Sequence, residues 1–342
     1  MFDSTLQKLK CTFCDSVFDV DALSSGDSVL GAGNNSDTPP QNVQNTWADG
    51  ETEGLFTYVC KSCGGEIIGD ETTAAMSCPY CGNPVVIMGA FTGKLKPDYV
   101  IPFKTTKEQA VHALENHLKG KILLPKVFAS QNRISEIKGV YVPFWVFDAD
   151  TLGEYAYRGT KVRRWQDRYY EYKETSYYDI YREGYMNVRS IPIDCSEKFD
   201  DTLMESIEPF DFSSAVDFKT AYLAGYFADK FNVEWKTSWE RAGRRIANTA
   251  DVRFRNTVSG YSTVKQSNGD LYVLSKEAKY ALFPVWLMST TWNGNVYTFA
   301  MNGQTGKFVG DLPLDKGKYA LWLLGLGFGI ALLLFLLSLL IF

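Results

Sequence analysis

The sequence predicts an α+β protein in which cysteine-rich N-terminal arms precede a β-rich central domain with packed helices, and a single transmembrane helix follows. Three observations predict it. Six of the seven cysteines fall in C-x-x-C pairs, two related apolar strings built around Pro-x-Trp recur in the middle of the chain, and the segment from Tyr319 to Phe342 carries no charge.

The chain has 342 residues, 45% of them hydrophobic and 15% aromatic, enough for one large domain or two small ones. A net charge of -5 argues against a surface built to neutralise phosphates, because non-specific nucleic-acid affinity comes from clustered Lys and Arg. Nucleic acid is therefore not an expected partner of the chain as a whole. The repeated C-x-x-C spacing points to metal rather than to a disulfide framework, and so to a reducing compartment. Met1 to Cys14 lacks the apolar run of a secretory signal.

Cys60-Lys-Ser-Cys63-Gly64-Gly65 and Cys78-Pro-Tyr-Cys81-Gly82 lie 14 residues apart. That spacing lets two hairpin turns face each other and offer four thiolates to one tetrahedral Zn²⁺, which predicts a rubredoxin-like zinc ribbon over residues 56–92. The glycine after each pair permits a turn whose backbone N-H groups point at sulfur. With no ligand position open the metal is expected to be structural, and its binding would fold a segment with little core of its own.

Residues 1–20 read as a half-ribbon arm. Aligning Cys11 on Cys78 brings Asp3 onto Asp70 and Leu9 onto Met76, as if the arm were the second half of another ribbon. Its first pair would then lie upstream of Met1, or else this copy has lost half its site. Cys11 and Cys14 could bind metal across two chains, or form a degenerate arm. Residues 21–55, rich in Gly, Ser, Asn, Asp and Pro, read as a flexible linker.

The α+β domain is expected over residues 97–316. Residues 106–119 show a helix pattern with Ala110, Val111, Leu114 and Leu118 on one face, a Thr cap before it and Gly120 as its stop. Val140 to Phe147 and Ala281 to Met288 match at Pro143/Pro284 and Trp145/Trp286, which predicts two similar half-sheets; Asn293-Gly294 marks a tight hairpin after the second. Residues 154–185 hold nine tyrosines and seven basic residues against six acidic ones. Base stacking is one reading of that mixture, but alternation such as Tyr155/Tyr157 favours half-exposed hairpins. Residues 219–230 and 235–255 read as two helices. The second carries Arg241, Arg244 and Arg245, the candidate binding residues for phosphate, lipid headgroups or an acidic partner helix.

From Tyr319 to Phe342 a helix would reach about 36 Å, long enough to cross the hydrocarbon core, and it is apolar on every face. Because the sequence stops at Phe342, this segment reads as a tail anchor over residues 319–342. Lys316 and Lys318 before it favour the cytoplasmic side. Gly325 and Gly329 have a spacing that lets helices approach closely, so a homo-oligomer is open.

No catalytic constellation emerges. His112 and His117 sit five apart on the predicted helix and cannot share a metal; Cys195 has no neighbouring histidine; every Gly-Lys lacks the following Ser or Thr of a phosphate-binding loop; and residues 302–306 read as a turn. The chain is expected not to be an enzyme.

Taken together, the CKSCGG and CPYCG knuckles, the YVPFWVFDAD strand, the YREG and IEPFDFSSAV segments, the YTFAMNGQTGKFVGDLP hairpin and the terminal apolar helix resemble bacterial membrane-anchored zinc-ribbon proteins. Members of that family are described as carrying a transcription-factor-IIB-type ribbon or as similar to the primosomal helicase PriA. The resemblance covers most of the chain from about residue 55 onward. It implies a non-enzymatic adaptor at the bacterial inner membrane, working beside phage-shock-protein-A-like (PspA-like) envelope-stress proteins, with its bulk in the cytoplasm. A membrane-tethered nucleic-acid binder using the ribbon and the Arg-rich helix is the alternative.

Overall fold

The computed structural model describes residues 1–10, 15, 17–20, 46–47, 51–69, 78–81, 83, 85–90, 95–125, 128 and 137–341. The N-terminal strands β1 (Phe2–Asp3), β2 (Lys8–Lys10) and β3 (Val17–Phe18) form a small antiparallel sheet. The ribbon supplies β4 (Phe56–Cys60), β5 (Glu66–Gly69) and β6 (Val85–Ala90). Then come β7 (Tyr99–Val100), α1 (Lys107–Leu118), β8 (Lys138–Gln166), β9 (Glu171–Asp194), α2 (Asp201–Ser206), β10 (Val216–Asp217) and β11 (Phe227–Asp229). The chain closes with α3 (Trp235–Asn256), β12 (Thr263–Trp292), β13 (Asn295–Asn302), β14 (Phe308–Gly310) and α4 (Lys316–Ile341).

The two matched strings pair with each other in the middle of an 11-stranded sheet. Val142 lies opposite Phe283, Pro143 opposite Leu282 and Tyr141 opposite Pro284, so a local two-fold passes through the Val142/Phe283 pair. Both matched tryptophans are tied down: Trp145 Nε1 donates to the Val233 carbonyl at 2.8 Å, and Trp286 Nε1 to Thr105 Oγ1 at 2.9 Å. A proline removes one ladder donor. Its carbonyl is still used, since Pro143 O accepts from Cys195 N and Pro284 O from Gly303 N.

Alternate residues of β8 feed two cores, as the strand period of two requires. Tyr141, Trp145 and Phe147 pack with Leu114 of α1 and Ala242 and Ile246 of α3. Val140, Val142, Phe144 and Val146 pack on the opposite face with Phe283, Met204 of α2 and the ribbon cysteines Cys60 and Cys78. Beyond residue 150, β8, β9 and β12 continue as a three-stranded arm, where Tyr155, Tyr157 and Ile180 pack against Ala250 and Phe254 near the end of α3. The tyrosine alternation of residues 154–185 is thus that of paired strands.

α1 starts on a capping box between Thr106 and Gln109, and Gly120 at φ +75° follows its end. α3 buries Ser238, Ala242, Ile246, Ala250 and Phe254, one residue in every four. The hairpin at Asn293-Gly294 has both residues at positive φ.

One expectation is corrected. Residues 219–230 are not a helix: a short 3₁₀ turn, Thr220–Leu223, ends before Gly225 at φ +84°, and the chain then enters the sheet as β11. A left-handed glycine stops the helix, and β11 gains ladders on both sides, parallel to β8 and antiparallel to β5. The N-terminal arm has a knuckle-type register, a geometry common to both knuckles of the ribbon, since Cys60 N bonds the Gly65 carbonyl and Cys78 N the Asn83 carbonyl. Lys10 pairs with Val17 and Leu9 with Phe18, the register that Val59/Glu66 and Tyr58/Ile67 have around the first knuckle, and Asp15 at φ +57° stands where that knuckle has Gly64. An alignment on cysteines alone cannot separate two knuckles of equal spacing. Cys11 and Cys14 themselves, and most of the linker at 21–55, lie outside the described residues.

α4 is long and apolar enough to cross a membrane, about 39 Å by its 26 residues, and none of the stretch Lys316–Leu337 is buried. Its first turn is latched to the body. Asp315 N donates to the Leu123 carbonyl at 2.9 Å, Lys318 Nζ to the Leu124 carbonyl at 2.6 Å, and Asp315 Oδ1 accepts from Lys318 N at 3.1 Å.

Candidate metal centre

The four cysteines of the ribbon converge from two turns. β4 delivers Cys60, and Cys63 follows in the turn before β5; Gly64 N bonds the Cys60 carbonyl at 2.8 Å with Gly64 at φ +68°. Gly65 is needed for a different reason: a Cβ there would sit 2.7 Å from the Tyr80 ring. On the second turn Cys78 N bonds the Asn83 carbonyl at 2.7 Å, closing the loop that carries Cys81.

All four sulfurs lie within 4.8 Å of one another, with Cys60 Sγ 3.5 Å from Cys81 Sγ and Cys63 Sγ 3.7 Å from Cys78 Sγ. A tetrahedral ion with metal–sulfur bonds of about 2.3 Å separates its ligands by roughly 3.8 Å. The cysteines are free thiols at that spacing, so the cluster can bind a metal ion and is compatible with zinc.

The surroundings act on the thiols in opposite directions. Burial pushes the Cys78 thiol far up, against the N-H groups of Cys81 and Tyr80 that point at its sulfur. At Cys81 burial also opposes ionisation, but the backbone N-H and side-chain amide of Asn83, the latter 3.4 Å from sulfur, bring the thiol down to about 7. Lys138 Nζ caps the Cys78 carbonyl and Lys198 Nζ the Cys63 carbonyl, both at 3.2 Å. Neither lysine is near the knuckles in sequence, so no motif could have revealed them; Asn83, two residues after Cys81, was within reach of motif reading.

The ribbon is continuous with the central sheet. β5 pairs with β11 at Ile68/Ala228 and Ile67/Asp229, so the cluster sits at the end of strands that run into the core. Beneath it, the Tyr80 hydroxyl and Asp229 Oδ2 are buried without a hydrogen-bond partner, close enough to influence each other. Burial raises Asp229 to about 6, with Ser196 and Tyr80 pulling the other way. A carboxyl whose pKa is higher folded than unfolded costs stability as pH rises from about 4 to above 6. Asp229→Asn is therefore expected to gain stability over the parent between pH 5 and pH 8, by at most about 3 kcal/mol. Paired denaturation curves at the two pH values check this, and a gain of equal size at both would contradict it.

The arginine candidates separate. Arg241 reaches Asp201 at 2.7 Å, Glu205 at 2.9 Å and the buried Asp194 at 3.1 Å. Arg245 holds Glu208 through two bonds, at 2.8 and 2.6 Å, and bonds the Pro192 carbonyl. Arg244 is exposed. The first two brace α3 against α2 and the end of β9 rather than forming an open basic face with Arg244. Cys195 is fully buried, and burial raises its thiol well above the ordinary range. His117 contacts the Gly310 carbonyl at 3.0 Å, while His112 lies near Glu115 on the surface of α1.

Over 334 aligned residues the chain is 35% identical to the uncharacterized protein YdjG of Bacillus subtilis (strain 168), an alignment covering 83% of this chain and 98% of that protein. The chain belongs to the YdjG family. No family model and no solved structure matches it. Membership of the YdjG family thus rests on a match that takes in nearly the whole relative.

Proposed function

We propose that this protein is a non-enzymatic adaptor of the bacterial cell membrane: α4 spans the bilayer once, Zn²⁺ held by Cys60, Cys63, Cys78 and Cys81 shapes the ribbon, and the cytoplasmic body recruits protein partners to the membrane. PspA-like envelope-stress proteins are the partners that the family resemblance implies. The observation that carries the reading is the latch at the base of α4, where two carbonyls of the Leu123-Leu124 segment accept from Asp315 and Lys318. A body fixed to its anchor in this way presents its surfaces at a set height above the lipid. The zinc assignment is supported by four thiol sulfurs, with no nitrogen or oxygen ligand among the described residues of the cluster, a donor set suited to a closed structural ion.

The alternative, a tethered nucleic-acid binder, leans on the arginines of α3. Arg241 and Arg245 already hold four carboxylates between them, which leaves little free charge for phosphate.

The test is a flotation assay with the full chain in vesicles and a purified PspA-like protein in solution. Recruitment to loaded vesicles and not to empty ones is the expected result. Failure to recruit, together with salt-sensitive retention of DNA or RNA, would favour the alternative.

A further inference from the structure

The outer edge of β9 is a long feature of the described residues without an assigned role. Among the described residues β9 pairs only with β8, and from Glu171 to Met186 that pairing runs without a bulge, leaving a regular row of outward backbone N-H and C=O groups. Such an edge accepts another strand unless its side chains forbid it. Tyr177, Tyr181 and Tyr185 line one face of this strand at 71, 75 and 77% exposure.

Charges are the usual block, and here they are arranged so that they do not block every partner. Lys173, Glu174, Arg182 and Glu183 form no ion pair among the described residues, whereas Asp179 is engaged by Arg158 at 3.3 Å. We infer that two copies of this chain pair antiparallel through β9, with Tyr178 of each opposite Tyr178 of the other. This register sets Lys173 against the partner's Glu183 and Glu174 against the partner's Arg182, and the two-fold makes each pair twice. Tyr181 then lies opposite Thr175 and diagonal to the partner's Tyr177, within the reach of aromatic side chains across a ladder. No like charges meet.

Neighbouring registers lack this property. Centring on Asp179 places that carboxylate against itself, and centring on Tyr177 brings Glu171 against Glu183. A shift by one residue would oppose inward-facing to outward-facing backbone groups and put each side chain on the wrong face. Backbone bonds and tyrosine contact supply the affinity, and the charges select the register.

Within one chain, Glu174 and Arg182 are eight residues apart on a single strand, about 27 Å, so they cannot couple inside a monomer. The full chain in detergent micelles is measured by sedimentation over a dilution series. The parent is expected to dimerise. Arg182→Glu and Glu174→Arg are each expected to raise the dissociation constant roughly tenfold or more by placing like charges opposite each other, and the double variant to return it to within about twofold of the parent. Both sites are on the surface, and circular dichroism checks that the variants fold. A monomeric parent, a dimer indifferent to the single changes, as association through α4 alone would give, or a double variant no better than the worse single one would each overturn the proposal.

Discussion

Replacing Cys78 by serine is expected to remove the bound metal and unfold the ribbon, and the damage should not stop at residue 90. Structural zinc sites contribute on the order of 10 kcal/mol of binding free energy, which here is folding free energy for short strands. Cys78 is a demanding position, because its side chain is buried in the cluster that holds Tyr58 and Tyr80 and cannot be resolvated when the ion is gone. β5 is the partner of β11 along one edge, so its loss exposes that edge at Ala228 and Asp229 as well. Hydrogen exchange on the full chain in detergent should show fast exchange over residues 56–69 and weakened protection at 227–229, with the Val140–Phe147 strand still protected. Cys195→Ala, which removes a thiol far from the cluster in sequence, should leave metal content unchanged. Normal protection in the Cys78→Ser variant would mean that the ribbon does not depend on metal.

The second large effect is expected from Arg241→Ala. Asp194 has 2% side-chain exposure, and burial raises it to about 6 even with the guanidinium 3.1 Å away. Without that cation the carboxylate is left buried and uncompensated, a situation that costs about 3–5 kcal/mol. Asp201 and Glu205 lose the same partner. The sign with pH follows from linkage. A proton neutralises Asp194 at low pH and relieves the penalty, so the loss should be larger at pH 8 than at pH 5. Urea unfolding at both values checks it; a loss under about 1 kcal/mol at pH 8 would show that the cluster contributes little, as exposed ion pairs do.

These expectations also show which parts of the molecule were legible in the sequence. The four-sulfur cluster was, because two C-x-x-C turns at that spacing have few other geometries, and Gly64 adopts the positive φ that the motif requires. The strings around Pro143 and Pro284 were readable as related, but as two similar half-sheets; their direct pairing in one sheet was not legible from the match. α1 was visible through cap and periodicity, residues 235–255 were read as the helix that is α3, and α4 was visible as a charge-free run long enough to span a bilayer. What escaped depended on distant partners. β11 is only three residues long, and its strand character comes entirely from β8 and β5, which no local pattern announces. Arg241 looked like part of a basic face, since its carboxylate partners at Asp194, Asp201 and Glu205 lie 36 to 47 positions away. Charge counted along one helix says nothing about charge consumed across a packing interface.

The proposed adaptor depends on a zinc ion bound by Cys60, Cys63, Cys78 and Cys81 in a body anchored to the membrane. Its most direct test is the metal content and sulfur coordination of the full chain, purified from membranes without added metal, beside the Cys78→Ser variant. Zinc is expected in the parent with sulfur ligands at about 2.3 Å, and about one ion per chain fewer in the variant. A parent without zinc, or a variant that keeps all of it, would contradict the account.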